Sequence, residues 1–214
     1  MLFANRQEAA IELAKRLDGY RAAHPLILAI PRGAVPMGRT IADALGGDLD
    51  VVLVHKLGAP GQPELAMGAV DEKGRYVLND VARDLGVSDD YVRAEAERQA
   101  AILRERRRLF TPSRAPLSAA GRVAIVVDDG VATGATMSAA IQVVRSQKPE
   151  RIVAAMAVAP PDTVRRMRRE ADEVVCLRMP PRFHAVGEFF REFRQVDDAE
   201  AMHALAGSPG TEGS

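Results

Sequence analysis

The chain has 214 residues, 47% of them apolar, which is enough for one well-buried domain. Its 29 basic residues match its 29 acidic ones, so the net charge is zero and nothing in the chain as a whole attracts nucleic acid or an acidic membrane. One cysteine, Cys176, stands without a disulfide partner or metal-ligand spacing, and charges interrupt the apolar residues of the N-terminus; both features predict a soluble cytoplasmic protein with no secretion signal or membrane span.

In chain order, Ala9, Ala10, Leu13, Ala14 and Leu17 recur at helical spacing and predict an amphipathic helix over Arg6 to Leu17. The run PLILAI (Pro25 to Ile30) predicts a short buried strand stopped by PRGAVP. MGRTIADAL then reads as helix, and LDVVLVHKL as a second buried strand. Leu57 to Arg114 breaks the alternation: DEKG between AMGAV and RYVLN predicts a hairpin, and a long charged helix runs from Ser88 or Asp89 to about Phe110. After this insertion, residues 57–114, come the strand RVAIVV (Arg122 to Val127) and a helix over Thr136 to Gln147. The strand RIVAAMAVA, the helix DTVRRMRRE and the strand EVVCL continue the pattern.

Strands that are apolar on both sides and separated by helices specify an α/β fold, with a central, mostly parallel sheet flanked by helices on both faces. Residues 178–206 gather Phe183, Phe189, Phe190 and Phe193, four of the six phenylalanines, and predict a small C-terminal hood. Residues 1–206 read as a single domain, and 207–214 as a disordered tail too polar and glycine-rich to pack.

The chemistry is concentrated in VAIVVDDGVATGAT. Asp128 and Asp129 stand at the carboxyl end of a predicted parallel strand, where α/β sheets bind ligands. The residues that follow, Gly130, Val131, Ala132, Thr133, Gly134, Ala135 and Thr136, are small enough for backbone N–H groups to close around an anion, and the next helix aims its positive end there. Carboxylates repel an anion but suit neutral hydroxyls or a cation. Acids for sugar hydroxyls beside a nest for phosphate describe a ribose 5-phosphate site. Two plainer readings use the same residues: acids capping the helix, or a metal-binding acidic pair as in receiver domains.

VVDDGVATGAT closely resembles the phosphoribosyl pyrophosphate (PRPP) signature of type I phosphoribosyltransferases. The resemblance implies Asp128 and Asp129 on the ribose 2- and 3-hydroxyls and the loop Ala132 to Thr136 around the 5-phosphate. Ala135 departs from the glycine of many members, which a negative φ would allow. IPRGAVPMG resembles the family's pyrophosphate loop, often built on a non-proline cis peptide, and implies Arg32 and Gly33 there. Lys56, at the end of the second strand, would reach the same pyrophosphate, while His55 reads as a structural strand-end residue.

Arg104, Arg106, Arg107 and Arg108 read as a solvated helix face interleaved with Glu95, Glu97 and Glu105; the resemblance alternatively implies that one arginine of this region reaches PRPP, in its own or a neighbouring subunit. It covers roughly residues 1 to 200 and implies transfer of the phosphoribosyl group to a small-molecule acceptor, a nitrogenous base, by a homodimer. Mg²⁺ would be held mainly by PRPP, and Asp128, Asp129 and Arg32 would be the catalytic groups. Phe183, Phe189 or Phe190 would stack on the acceptor or simply pack the hood, and Arg178, Arg182 and His184 would meet an anionic one. Two other functions stay open: a PRPP sensor without turnover, and a metal-dependent hydrolase needing ligands from Asp50, Asp71 or Asp172.

Overall fold

In a computed structural model that describes residues 2–112 and 114–206, helix α1 (Arg6–Arg16) starts where the Asn5 side chain accepts the Glu8 N–H. Lys15 and Arg16 close its last turn, in line with the helix dipole. Strand β1 (Leu26–Ala29), buried at every residue, leads through helix α2 (Val35–Leu45) to strand β2 (Asp48–Val51). The expected tail, 207–214, lies outside the described residues.

The expected second strand is two strands. After β2 the chain leaves the sheet at Val52 and Leu53, and β3 (Val54–Ala59) pairs antiparallel with β4 (Gln62–Asp71), which pairs with β5 (Tyr76–Leu78). The physical reason lies in His55 and Lys56: a strand covered on both faces has no room for two consecutive polar side chains, whereas β3 exposes both. A short helix α3 (Asp80–Asp84) and the long α4 (Asp89–Phe110), capped by the Ser88 hydroxyl, follow.

The remaining elements restore the alternation: β6 (Val123–Asp128), α5 (Ala135–Ser146), β7 (Arg151–Val158), α6 (Pro161–Glu170) and β8 (Glu173–Arg178). The central sheet has order β2-β1-β6-β7-β8, every pair parallel. Strand alternation assigns its two faces. Ile27, Ala29, Ile125, Val127, Val153 and Ala155 join the core with α1 and α2. Leu28, Val126, Ile152 and Ala154 join the core with α5 and α6. The three-stranded sheet packs through Leu57, Met67 and Val70 on Val92, Ala96 and Ala100 of α4, and through Val54 and Ala69 on Ala139 and Val143 of α5.

The C-terminal region contains a helix that the pattern did not announce, α7 (Asp198–Ala206), which rests on α2 and α4. Its approach is tied to the other end of the chain. The Phe3 N–H donates to the Phe189 carbonyl, the Arg191 N–H donates to the Phe3 carbonyl, and the Phe3 and Phe190 rings pack 5.3 Å apart. Among the described residues no helix is long and apolar enough to cross a membrane.

Candidate active site

β1 lies between β2 and β6, so the chain leaves β1 toward one neighbour while the other arrives from later in the sequence. Crevices at such a reversal of strand order are where open α/β sheets bind ligands. The Arg32–Gly33 turn follows β1, and Asp128 and Asp129 end β6, so both motifs meet at this point. The Pro31–Arg32 peptide is cis. Arg32, Gly33 and Asp129 line one open cavity of about 480 Å³, together with Arg6, Arg106, Phe193 and Arg194.

Gly33 must be glycine for space. A Cβ built there would collide with Asp129 Oδ2 and lie 3.3 Å from Arg6 Nη2. Gly33→Ala should therefore displace the Asp129 carboxylate from Arg6, lower stability by up to about 1.5–3 kcal/mol in a protein that still folds, and weaken ligand binding about tenfold or more, as expected when a hydrogen bond to a charged group is lost. Calorimetric titration with PRPP, alongside a thermal melt, checks this; unchanged affinity would mean that the contact is idle.

The two acids are not equivalent. Asp129, 8% exposed, receives the Arg6 Nε–H at 2.7 Å, and Arg6 also donates through Nη1 to the Arg194 carbonyl at 2.6 Å while lying 3.8 Å above the Phe193 ring centre. Asp128 has no cation among the described residues; its Oδ1 accepts the Asp129 N–H at 2.8 Å. Burial, and then the charge of Asp129, push the Asp128 carboxyl well above the usual carboxylate range. The pair thus has one carboxylate held ionised by an arginine and one suited to keep or take up a proton.

Beyond the acids, the loop changes direction at Gly134, whose φ of +76° favours glycine, while Ala135 is already the first residue of α5. The tolerated methyl expected at Ala135 is thus explained by the left-handed position falling one residue earlier. Thr163 donates to the Ala132 carbonyl at 2.7 Å and Arg166 donates to the Thr133 carbonyl, which satisfies the loop from α6. Helix α5 has no side-chain cap, and Thr133 and Thr136 are exposed beside its first turn.

A family model for the phosphoribosyl transferase domain matches residues 60–189. This chain belongs to the phosphoribosyltransferase family. It is 42% identical over 205 residues to a provisionally named phosphoribosyl transferase of Mycobacterium tuberculosis, found in strains CDC 1551 and H37Rv, covering 95% of this chain and 46% of that protein. The chain thus spans about half the length of the curated relatives it matches. The crystal structure of TT1426 from Thermus thermophilus superposes with a TM-score of 0.87 at 43% identity, covering 96% of this chain and 98% of that one.

Within this phosphoribosyltransferase domain, several expected residues stand elsewhere. Lys56 does not line the cavity with Arg32: carried away on β3, it pairs in register with Ala69 and borders a separate cleft with Ala135 and Ser138 at the start of α5. The arginine run does not share one solvated face. Arg104 donates to Glu97 and to the Glu72 carbonyl, and Arg108 pairs with Glu105, but Arg107 is buried and Arg106 opens into the cavity. In the hood, Phe190 is buried against Phe3 and Phe193, and Phe183 and Phe189 stack on each other at 5.3 Å; Phe193 is the ring at the cavity. Arg178 lies 3.6 Å over the Phe3 ring, engaged in packing.

Three residues of the site escaped the sequence reading: Arg6, Arg194 and Asp198, the last paired with Arg32 at 3.3 Å. Arg6 did leave a signal. A basic residue opening a helix opposes the dipole, so an arginine at the first position of α1 calls for an acidic partner elsewhere. Asp50 pairs with Arg107, Asp71 with Arg75 and Asp172 with Arg145, away from the acid pair. Burial pushes the Cys176 thiol up to about 11, unsuited to a nucleophile at neutral pH.

Proposed function

We propose that this domain transfers the 5-phosphoribosyl group of PRPP to a nitrogenous acceptor and releases pyrophosphate. The observation that carries the reading is the meeting of Asp129, the second acid of the pair, with the Arg32–Gly33 turn in one cavity at the strand-order reversal. In this reading the first-turn amides and Thr133 and Thr136 hold the 5-phosphate, Asp128 and Asp129 take the ribose hydroxyls, and Arg32 faces the pyrophosphate. A nitrogen lone pair of the acceptor forms the new bond to C1 as the C1–oxygen bond breaks and its electrons leave with pyrophosphate. The acid pair stabilises positive charge on the ring, Arg32 stabilises the leaving group, and Asp128, whose raised pKa suits a base, accepts a proton.

Two adjacent carboxylates also fit a Mg²⁺ that arrives on PRPP, because Mg²⁺ is usually held by one or two carboxylates plus phosphate oxygens. Bound there, it would neutralise charge on the pyrophosphate.

Arg32→Ala should lower pyrophosphate release by about a hundred- to a thousandfold, the usual effect of losing one preorganised donor. Thermal stability should hardly change, since the Arg32–Asp198 pair is partly exposed and such pairs contribute about 0–1 kcal/mol. Titration with PRPP and Mg²⁺, followed by a release assay over a panel of acceptors, tests the function itself. No binding of PRPP by the unaltered protein would overturn the reading, and binding without release by any acceptor would assign sensing instead.

A further inference from the structure

The transfer reading gives roles to Arg32, the acid pair and the phosphate loop, and leaves Arg106, Arg194 and Phe193 on another wall of the same cavity without one. Arg106 comes from α4 and the other two from the hood, so distant segments converge on this wall. Arg106 is exposed and makes no hydrogen bond or ion pair among the described residues. Arg194 donates to both carboxylate oxygens of Glu200, at 2.6 and 2.7 Å, but with 73% of its side chain exposed the pair is screened by solvent, and a ligand carboxylate takes over one of these bonds in place of Glu200. Phe193 keeps 36% of its surface exposed.

The side chains of the wall are almost all hydrogen-bond donors. The one carboxylate in the cavity, on Asp129, is held by Arg6, and so is the Arg194 carbonyl; Gln195 is the remaining side chain able to accept. A neutral purine or pyrimidine alternates donors and acceptors along its edge. Set against this wall, its N–H groups would face guanidinium donors and go unpaired, which binding sites reject strongly. A planar anion has the opposite edge: acceptors only, in the fork geometry that arginine matches.

We propose that the acceptor is a planar nitrogen compound bearing a carboxylate, with the carboxylate held between Arg106 and Arg194 and the ring against Phe193. The proposal rests on the transfer reading for the role of the cavity, so the two are tested separately. Pyrophosphate with Mg²⁺ is titrated first, and its binding, weakened by Arg32→Ala, judges the transfer reading. Pyridine-3-carboxylate and its uncharged carboxamide, equal in ring and size, are then titrated with and without pyrophosphate.

The carboxylate should bind about tenfold tighter than the carboxamide, as hydrogen bonds to a charged group imply, and should do so with pyrophosphate in place. The double variant Arg106→Ala/Arg194→Ala should erase that preference while changing pyrophosphate affinity less than about twofold. Equal or tighter binding of the carboxamide, binding of neither, or a preference that survives in the double variant overturns the proposal. Exclusion of the carboxylate by pyrophosphate also overturns it, since the arginines would then serve the leaving group. Should pyrophosphate fail to bind, the transfer reading falls, and the comparison made without pyrophosphate still decides the charge that this wall accepts.

Discussion

Asp128→Asn and Asp129→Asn should each lower turnover by about a hundred- to a thousandfold, yet should move stability in opposite directions. Asp129 neutralises Arg6, whose side chain is only 14% exposed, through a 2.7 Å contact. Asparagine there leaves a guanidinium without its carboxylate and should destabilise the fold by about 1.5–3 kcal/mol. Asp128 has no such cation, and burial together with the charge of Asp129 raises its pKa. Ionised, it opposes folding, so Asp128→Asn should raise the unfolding midpoint at neutral pH.

The pH dependence follows with a definite sign. Between the ordinary carboxylate range and the raised value, the folded protein holds a proton on Asp128 that the unfolded chain has lost. Stability of the unaltered protein should therefore fall as pH rises through that window, and Asp128→Asn should flatten this part of the profile. Urea unfolding of the three proteins at stepped pH values is the measurement. A single direction of change for both variants would mean that the two acids share one environment, contrary to the geometry.

The largest effect on stability is expected at Arg107. Its side chain, 10% exposed, donates to Asp50 at 2.6 Å, to the Val51 carbonyl at 2.9 Å and to Glu72 at 2.8 Å. One guanidinium thus joins α4, β2 of the central sheet and the end of the β4 hairpin. Asp50 is 1% exposed, so Arg107→Ala strands a buried carboxylate, and breaking such a pair costs about 3–5 kcal/mol. Arg114, 3.3 Å from Asp50, and the Leu117 N–H soften the loss without replacing the links to Val51 and Glu72.

Asp50→Asn/Glu72→Gln/Arg107→Met, which removes all three charges of the network and keeps the volume, should recover a large part of the loss, because the penalty lies in the unpaired charge more than in the missing attraction. Both variants can be read from urea midpoints at constant slope. A cost below about 1 kcal/mol for Arg107→Ala would show that water reaches Asp50 and that the network is a surface feature. Because Arg106 is the next residue on α4, Arg107→Ala should also loosen the cavity wall, seen as weaker carboxylate binding in the protein that remains folded.

What the sequence determined by itself is the local physics. Apolar runs such as PLILAI and RVAIVV, long enough to be covered on both faces, specify the parallel strands, and helical spacing specifies α1, α5 and α6. Two acids at a strand end followed by small residues mark a ligand site, because those properties lie within a few bonds of one another. HK inside LDVVLVHKL held the information that β2 and β3 are separate, but an apolar run of that length reads equally well as one strand.

Tertiary structure decided what depends on partners far apart in the chain. Arg6 meets Asp129 across 123 residues, and Arg107 meets Asp50 across 57. Four neighbouring arginines on one helix divide between surface, buried network and cavity because α4 rotates each by about 100° and packs against different surroundings on each side. Spacing along a chain records the rotation. Only the packing of α4, the hood and the N-terminus around the sheet decides that one arginine is a strut, another lines the cavity and a third answers the carboxylate of Asp129.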